Sequence, residues 1–219
     1  ARQTMDREII KQMEQNPELR RDSAQLSQPL HPEVMSLLKQ GDLSGALLKF
    51  AGNMTGRNAR IARALASALK GVKVEVVDNL RNDKNEGLAG DFDRASNTVR
   101  LDMNTGLNVH TLIHEVVHAL TVNTLSNKSH PLTKRLNDIF NAVKGQLDTA
   151  YGTQSLEEFV SEAMSNPEFQ AKLAGMYTDA KPISALKQFF HAVGNLVRNV
   201  LGMDPTALGS ALEIGRAHV

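Results

Sequence analysis

His114-Glu115-Val116-Val117-His118 places two imidazoles four residues apart with a carboxylate beside the first. On a helix, residues four apart share a face, so both rings can reach one ion while Glu115, about 100° round, leans over the open coordination position. Zinc held by three protein ligands lowers the pKa of its water to about 7. A neighbouring carboxylate can take the remaining proton and pass it to a leaving amine. The spacing therefore predicts metal-assisted amide hydrolysis, with His114 and His118 as ligands and Glu115 as base. With 7 His and 12 Glu in 219 residues, chance produces such a match on the order of 1% of the time, so its surroundings must agree. They do: Leu112, Ile113, Val116, Val117 and Leu120 fit a buried helix over Val109 to Thr124.

Metzincins continue with a glycine three residues past the second histidine and a third histidine three further on. Thr121 and Thr124 stand there, which excludes that branch. A third ligand must come from elsewhere. Leu156-Glu157-Glu158-Phe159-Val160-Ser161-Glu162-Ala163 is amphipathic and follows a helix break at Gly152. Glu158 and Glu162 share its polar face, while Phe159 and Val160 can pack toward the core. Carboxylates projecting at a buried site need partners, and an ion with its histidines would serve. His110 lies on the same stripe as His114 and His118. A straight helix separates the first and third of these by about 12 Å, too far for one ion, so His110 is expected beside the site or near the helix start. Solvent exposure accounts for His130, in a loop, and for His31 and His218.

The elements that must position these residues follow from period and punctuation. Residues 3 to 15 read as a polar helix, and the prolines at 17, 29 and 32 read as a linker, so residues 1–31 are expected to be an arm and 32–219 the domain. Helices are expected from Pro32 to Gln40, from Asp42 to Phe50 and from Arg57 to Lys70. Val72, Val74 and Val76 then alternate with Lys73 and Glu75, and short strands are expected there, at Gly90 to Phe92 and at Thr98 to Asp102. Past Leu107 all reads as helix: the active helix at about 107–125, the third-ligand helix at about 154–165 and C-terminal helices at about 183–219. The fold class is α+β, predominantly helical, with a small sheet over about 72–102 ahead of the active helix.

At 22% charged and 41% hydrophobic, the chain has the composition of a globular protein long enough to bury a core without staples. A net charge of +1 implies no general pull toward nucleic acid or acidic lipid. Nucleic acid is not an expected partner. Cysteine is absent, so thiolate ligands and disulfides are excluded while the compartment stays open. No signal-peptide or membrane-spanning segment stands out, so no membrane partner is expected. A first residue other than Met, and an end inside the apparently helical stretch Thr206 to Val219, suggest a piece of a longer polypeptide.

The pair HEVVH and EEFVSE resembles the gluzincin clan of zinc metallopeptidases. The resemblance implies a zincin-like fold, Zn2+ as cofactor, Glu158 as third ligand with Glu157 as the alternative, and Glu162 as the acceptor for a ligand imidazole N–H. The 39 residues between His118 and Glu158 exceed the usual spacing of that clan, and a helix from Pro131 to Asp148 fills the excess. It further implies that Thr98 to Asp102 is an edge strand pairing with an extended peptide, and that Tyr151, Tyr177 or His191 stabilises the oxyanion. Asn97-Thr98-Val99-Arg100-Leu101, Thr111 to Glu115, Tyr151-Gly152, and Glu158 to Ala163 with Asn166-Pro167-Glu168-Phe169-Gln170 look like metallopeptidase domains of large multidomain proteins from phages and mobile elements. That likeness implies an endopeptidase acting on its parent polyprotein or on host or virion proteins, virion-associated or delivered into the host cytoplasm. The competing readings are a catalytically inactive zincin-fold structural or interaction module, and a helical DNA-associated module using Arg57, Arg60, Arg63 and Lys70.

Overall fold

The computed structural model describes residues 17–26, 28–147, 151–176 and 184–192, together with positions 7, 10, 11, 14 and 15. Helix α1 (Pro17–Leu26) and helix α2 (Pro32–Lys39) both open on proline, whose missing N–H is an orphan donor in the first turn anyway and whose φ already suits a helix. This corrects the linker reading for residues 17–30. Leu26 and Leu30 are buried in the main core, Asn58 Nδ2 donates to the Asp22 carbonyl at 2.9 Å, and Pro29 bridges Asn108. Most of residues 1–16 and all of 193–219, including the expected C-terminal helix beyond 192, lie outside the described residues. Residues 185–192 are helical.

Helices α3 (Leu43–Gly52) and α4 (Gly56–Ala68) pack together. Asp42 caps α3 by accepting from Gly45 N at 2.8 Å. The sheet has three strands, β1 (Lys73–Val77), β2 (Gly90–Asp93) and β3 (Thr98–Asp102), in the order β1-β3-β2. β1 runs parallel to β3 and β2 antiparallel to it, with Asp91 opposite Arg100 and Phe92 opposite Val99. β3 is therefore central. The expectation that Thr98 to Asp102 forms an edge is overturned, because both its sides are hydrogen-bonded to neighbours. The edge nearest the helix that carries His114 and His118 is β2.

Asp102, at the end of β3, ties down the loop that leads into the helix of His114 and His118. Its carboxylate accepts from the N–H groups of Leu80, Thr105 and Asn104 and from the Thr105 hydroxyl at 2.8–3.0 Å, and these donors, Leu80 first, hold its pKa at about 2. Helix α5 (Val109–Ser126) starts there, with Asn108 Oδ1 accepting from Thr111 N at 2.9 Å. Helix α6 (Pro131–Val143) ends earlier than Asp148 and gives way to a turn over 144–147. After a 3-10 turn at Tyr151–Thr153 come helix α7 (Leu156–Ser165) and helix α8 (Pro167–Gly175). α5 lies along α7. Phe159 locks α7 in place: it is fully buried, with the rings of Phe140, Phe169 and Phe189 at 5.2–5.8 Å. The fold is α+β and mostly helical. Among the described residues no helix is long and apolar enough to cross a membrane.

Candidate metal centre

The site forms where the polar stripe of α5 faces the polar stripe of α7. Val116 and Val117 are buried, which fixes the rotation of α5, and Phe159 and Val160 do the same for α7. His114, His118 and Glu158 then converge. His114 Nε2 is 3.1 Å from His118 Nε2 and 3.1 Å from Glu158 Oε2, and His118 Nε2 is 3.4 Å from Glu158 Oε1. Donors placed tetrahedrally at 2.0–2.1 Å from one ion stand about 3.3 Å apart, and these separations, taken over the two carboxylate oxygens of Glu158, lie close to that. The three form a buried to half-buried grouping able to hold a metal ion. Glu157, beside Glu158, falls outside the His/Glu groupings found among the described residues and lines the adjoining cleft.

Glu162 lies behind His114. Its Oε1 is 3.1 Å from Nδ1 of His114 and 2.9 Å from Nε2 of His110, and its Oε2 accepts from Asn166 Nδ2 at 2.8 Å. A carboxylate on the far nitrogen of a ligand histidine fixes its tautomer and ring plane. Asn166 does two jobs: its Oδ1 also caps α8 by accepting from Glu168 N and Phe169 N at 2.9 and 3.2 Å. The 3-10 turn closes over this region, and a Cβ at Gly152 would stand 3.0 Å from Glu162 Cβ and 2.8 Å from the Phe169 ring. Only glycine lets the turn approach so closely.

The electrostatics of these side chains follow from burial working against charge pairing. Burial by itself would discharge His114, but the carboxylates of Glu158 and Glu162 outweigh it and push the imidazole up to about 9. Burial likewise opposes ionisation of Glu158, and the His114 and His118 imidazoles overcome it to hold the carboxylate at about 2. Glu162 is held well below the usual range against its burial by His110, His114 and Asn166. Glu115 behaves differently. It is 7% exposed, and burial pushes it up to about 7 despite the nearby histidines. Two carboxylates stay charged against the imidazoles while a third is poised to exchange a proton near neutrality.

A cleft of about 490 Å³ runs in front of the grouping, with Glu115, His118 and Glu158 on one wall and Gly90, Asp91 and Phe92 of β2 on the other. Arg100 and Asp91 pair across the strands and stiffen that wall. Gly90 allows the two walls to meet: a Cβ there would lie 2.7 Å from Thr111 Cγ2 and 2.9 Å from Glu115 Cγ.

Of the candidate oxyanion residues, Tyr151 sits in the 3-10 turn with its side chain outside the described set, Tyr177 lies outside the described residues, and His191 is exposed on the helix of residues 185–192. His31 and His130 cap α2 and α6. The roles of Gly90 and Asn166 were not read from the sequence. An Asn four residues past a polar-face glutamate and directly before Pro167 was the available signal for Asn166, whereas nothing local marks Gly90. Comparison with protein-family models, with curated proteins and with solved structures finds no match.

Proposed function

We propose that this chain is a zinc-dependent endopeptidase domain of gluzincin type, with a zincin-like fold. The observation that carries the reading is the convergence of His114 Nε2, His118 Nε2 and Glu158 within 3.4 Å of one another beside a cleft that also contains the buried Glu115. The donor set suits zinc: two imidazoles and one carboxylate, with room for a fourth ligand. When bound, zinc supplies a Lewis acid and lowers the pKa of water to about 7.

The chain's own residues do the rest. Glu115, with a proton affinity raised by burial, accepts a proton at its carboxylate and returns it to the departing amine. Glu162 holds the His114 ring so that Nε2 faces the ion. β2, whose outer side pairs with no described strand, offers main-chain groups to an extended peptide lying in the cleft. The substrate is a protein or peptide, and the resemblance to domains of phage and mobile-element proteins favours the parent polypeptide or virion and host proteins as targets.

The test is Glu115→Ala. About one zinc per chain should remain, by elemental analysis, while cleavage of an unfolded protein substrate disappears. Cleavage that survives this substitution would defeat the proposed mechanism.

A further inference from the structure

His114, His118 and Glu158 do not use every metal-ligating side chain in their neighbourhood. One turn earlier, His110 Nε2 lies 2.9 Å from Glu162 Oε1, and His110, His114 and Glu162 form a second grouping whose donors lie within 4.8 Å of one another. Glu162 is buried, and Asn166 holds its other oxygen at 2.8 Å. The His110 side chain is 44% exposed and opens into a separate cavity of about 250 Å³, which Gly90, Thr111 and Glu115 also line. A cation there would meet a held nitrogen-oxygen pair and have space for water on its open side. Donors 2.9 Å apart, each about 2.1 Å from one ion, subtend roughly a right angle, as in octahedral or square sites.

The geometry points to a second, weaker transition-metal position held by His110 Nε2 and Glu162 Oε1, filled when metal exceeds what His114, His118 and Glu158 bind. His114 belongs to both groupings but through different nitrogens, with Nε2 toward Glu158 and His118 and Nδ1 toward Glu162. With Nε2 on the first ion, Nδ1 keeps its hydrogen and faces Glu162 Oε1 at 3.1 Å, so the second ion has two protein ligands and completes its shell with water. Two ligands against three set the order of filling. The imidazole selects zinc, nickel or copper over magnesium or calcium. Glu162 would then serve one ion directly and the other through His114, so each ion weakens the other's binding, and by linkage the effect is reciprocal. The tight position rests on the zinc centre proposed above; the His110 position does not.

Equilibrium dialysis of the whole chain against zinc, followed by elemental analysis, reads the two positions apart. Wild type is expected to take one equivalent tightly and a second in excess metal. His110→Gln, whose amide can still donate to Glu162 but is a poor metal ligand, is expected to stop at one. His118→Ala should lose the tight equivalent and still bind metal weakly. A wild type that saturates at one tight equivalent, or a second equivalent that persists in His110→Gln, overturns the inference. Absence of the tight equivalent alone would defeat the proposed zinc centre and leave the His110 position standing; absence of both would defeat the two together.

Discussion

Gly90 and Glu115 touch across the wall between strand β2 and helix α5, with no room for a β-carbon: one placed at Gly90 would stand 2.9 Å from Glu115 Cγ and 3.2 Å from the Arg100 carbonyl. Gly90→Ala should therefore cost stability and move the base together. An overpacked methyl in such a contact destabilises by about 1 to 3 kcal/mol, and misplacing a catalytic group by an ångström lowers the rate by about 100-fold. Thermal melts and peptide-cleavage rates on the same preparation check this. Unchanged cleavage would mean that Glu115 is not held by this contact.

Glu162→Gln keeps the shape of the side chain but removes the charge facing His114 Nδ1 and His110 Nε2. Loss of such a partner typically weakens metal affinity about 10- to 100-fold. Competition against a chromophoric chelator measures the tight equivalent directly. An affinity equal to wild type would show that Glu162 does not orient the ligand.

Asn166 separates two roles that one amide fills. Asn166→Ala should lose about 1 kcal/mol from the cap of α8 and also release Glu162 Oε2. Asn166→Ser keeps a capping oxygen and loses only the donor to Glu162. It should melt close to wild type yet bind zinc more weakly than wild type. Equal zinc binding in Asn166→Ser and wild type would contradict the tether.

The metal-free protein should lose stability as pH rises. His114 is raised from its ordinary 6.5 to about 9, so its contribution is complete below 6.5 and vanishes as pH climbs through about 9. Glu115, raised from 4.5 to about 7, acts in the same direction between those values. Glu158 is lowered to about 2, so its contribution is present above 4.5 and fades only as pH falls toward 2. Chelated protein should thus show a Tm that declines from pH 4.5 to about 9. Because zinc must displace the His114 proton, the gain in Tm on adding zinc should widen over the same interval. A chelated Tm that rises across it would show the site to be wired differently.

The HEVVH spacing, the i,i+4 pair Glu158 and Glu162, and the cap at Asp42 are local features, because helix period and first-turn hydrogen bonds are decided within a few residues. The active helix and β3 accordingly lie close to where period and punctuation place them. Proline misled at Pro17, since the same residue that breaks a helix interior is welcome in its first turn; at Pro32 the expected helix forms.

What the sequence by itself determined was that two histidines and a carboxylate share one helix at a spacing that puts both imidazoles on one face, and that a second acidic helix follows. Only the tertiary structure decided which carboxylates arrive. His114 and Glu158 are 44 residues apart and His110 and Glu162 52 apart, and such contacts depend on how α5 and α7 pack, not on either helix alone. The same holds for the sheet: hydrogen bonding between distant strands made β3 central and left β2 at the edge by the cleft, a choice that alternation along one strand does not encode.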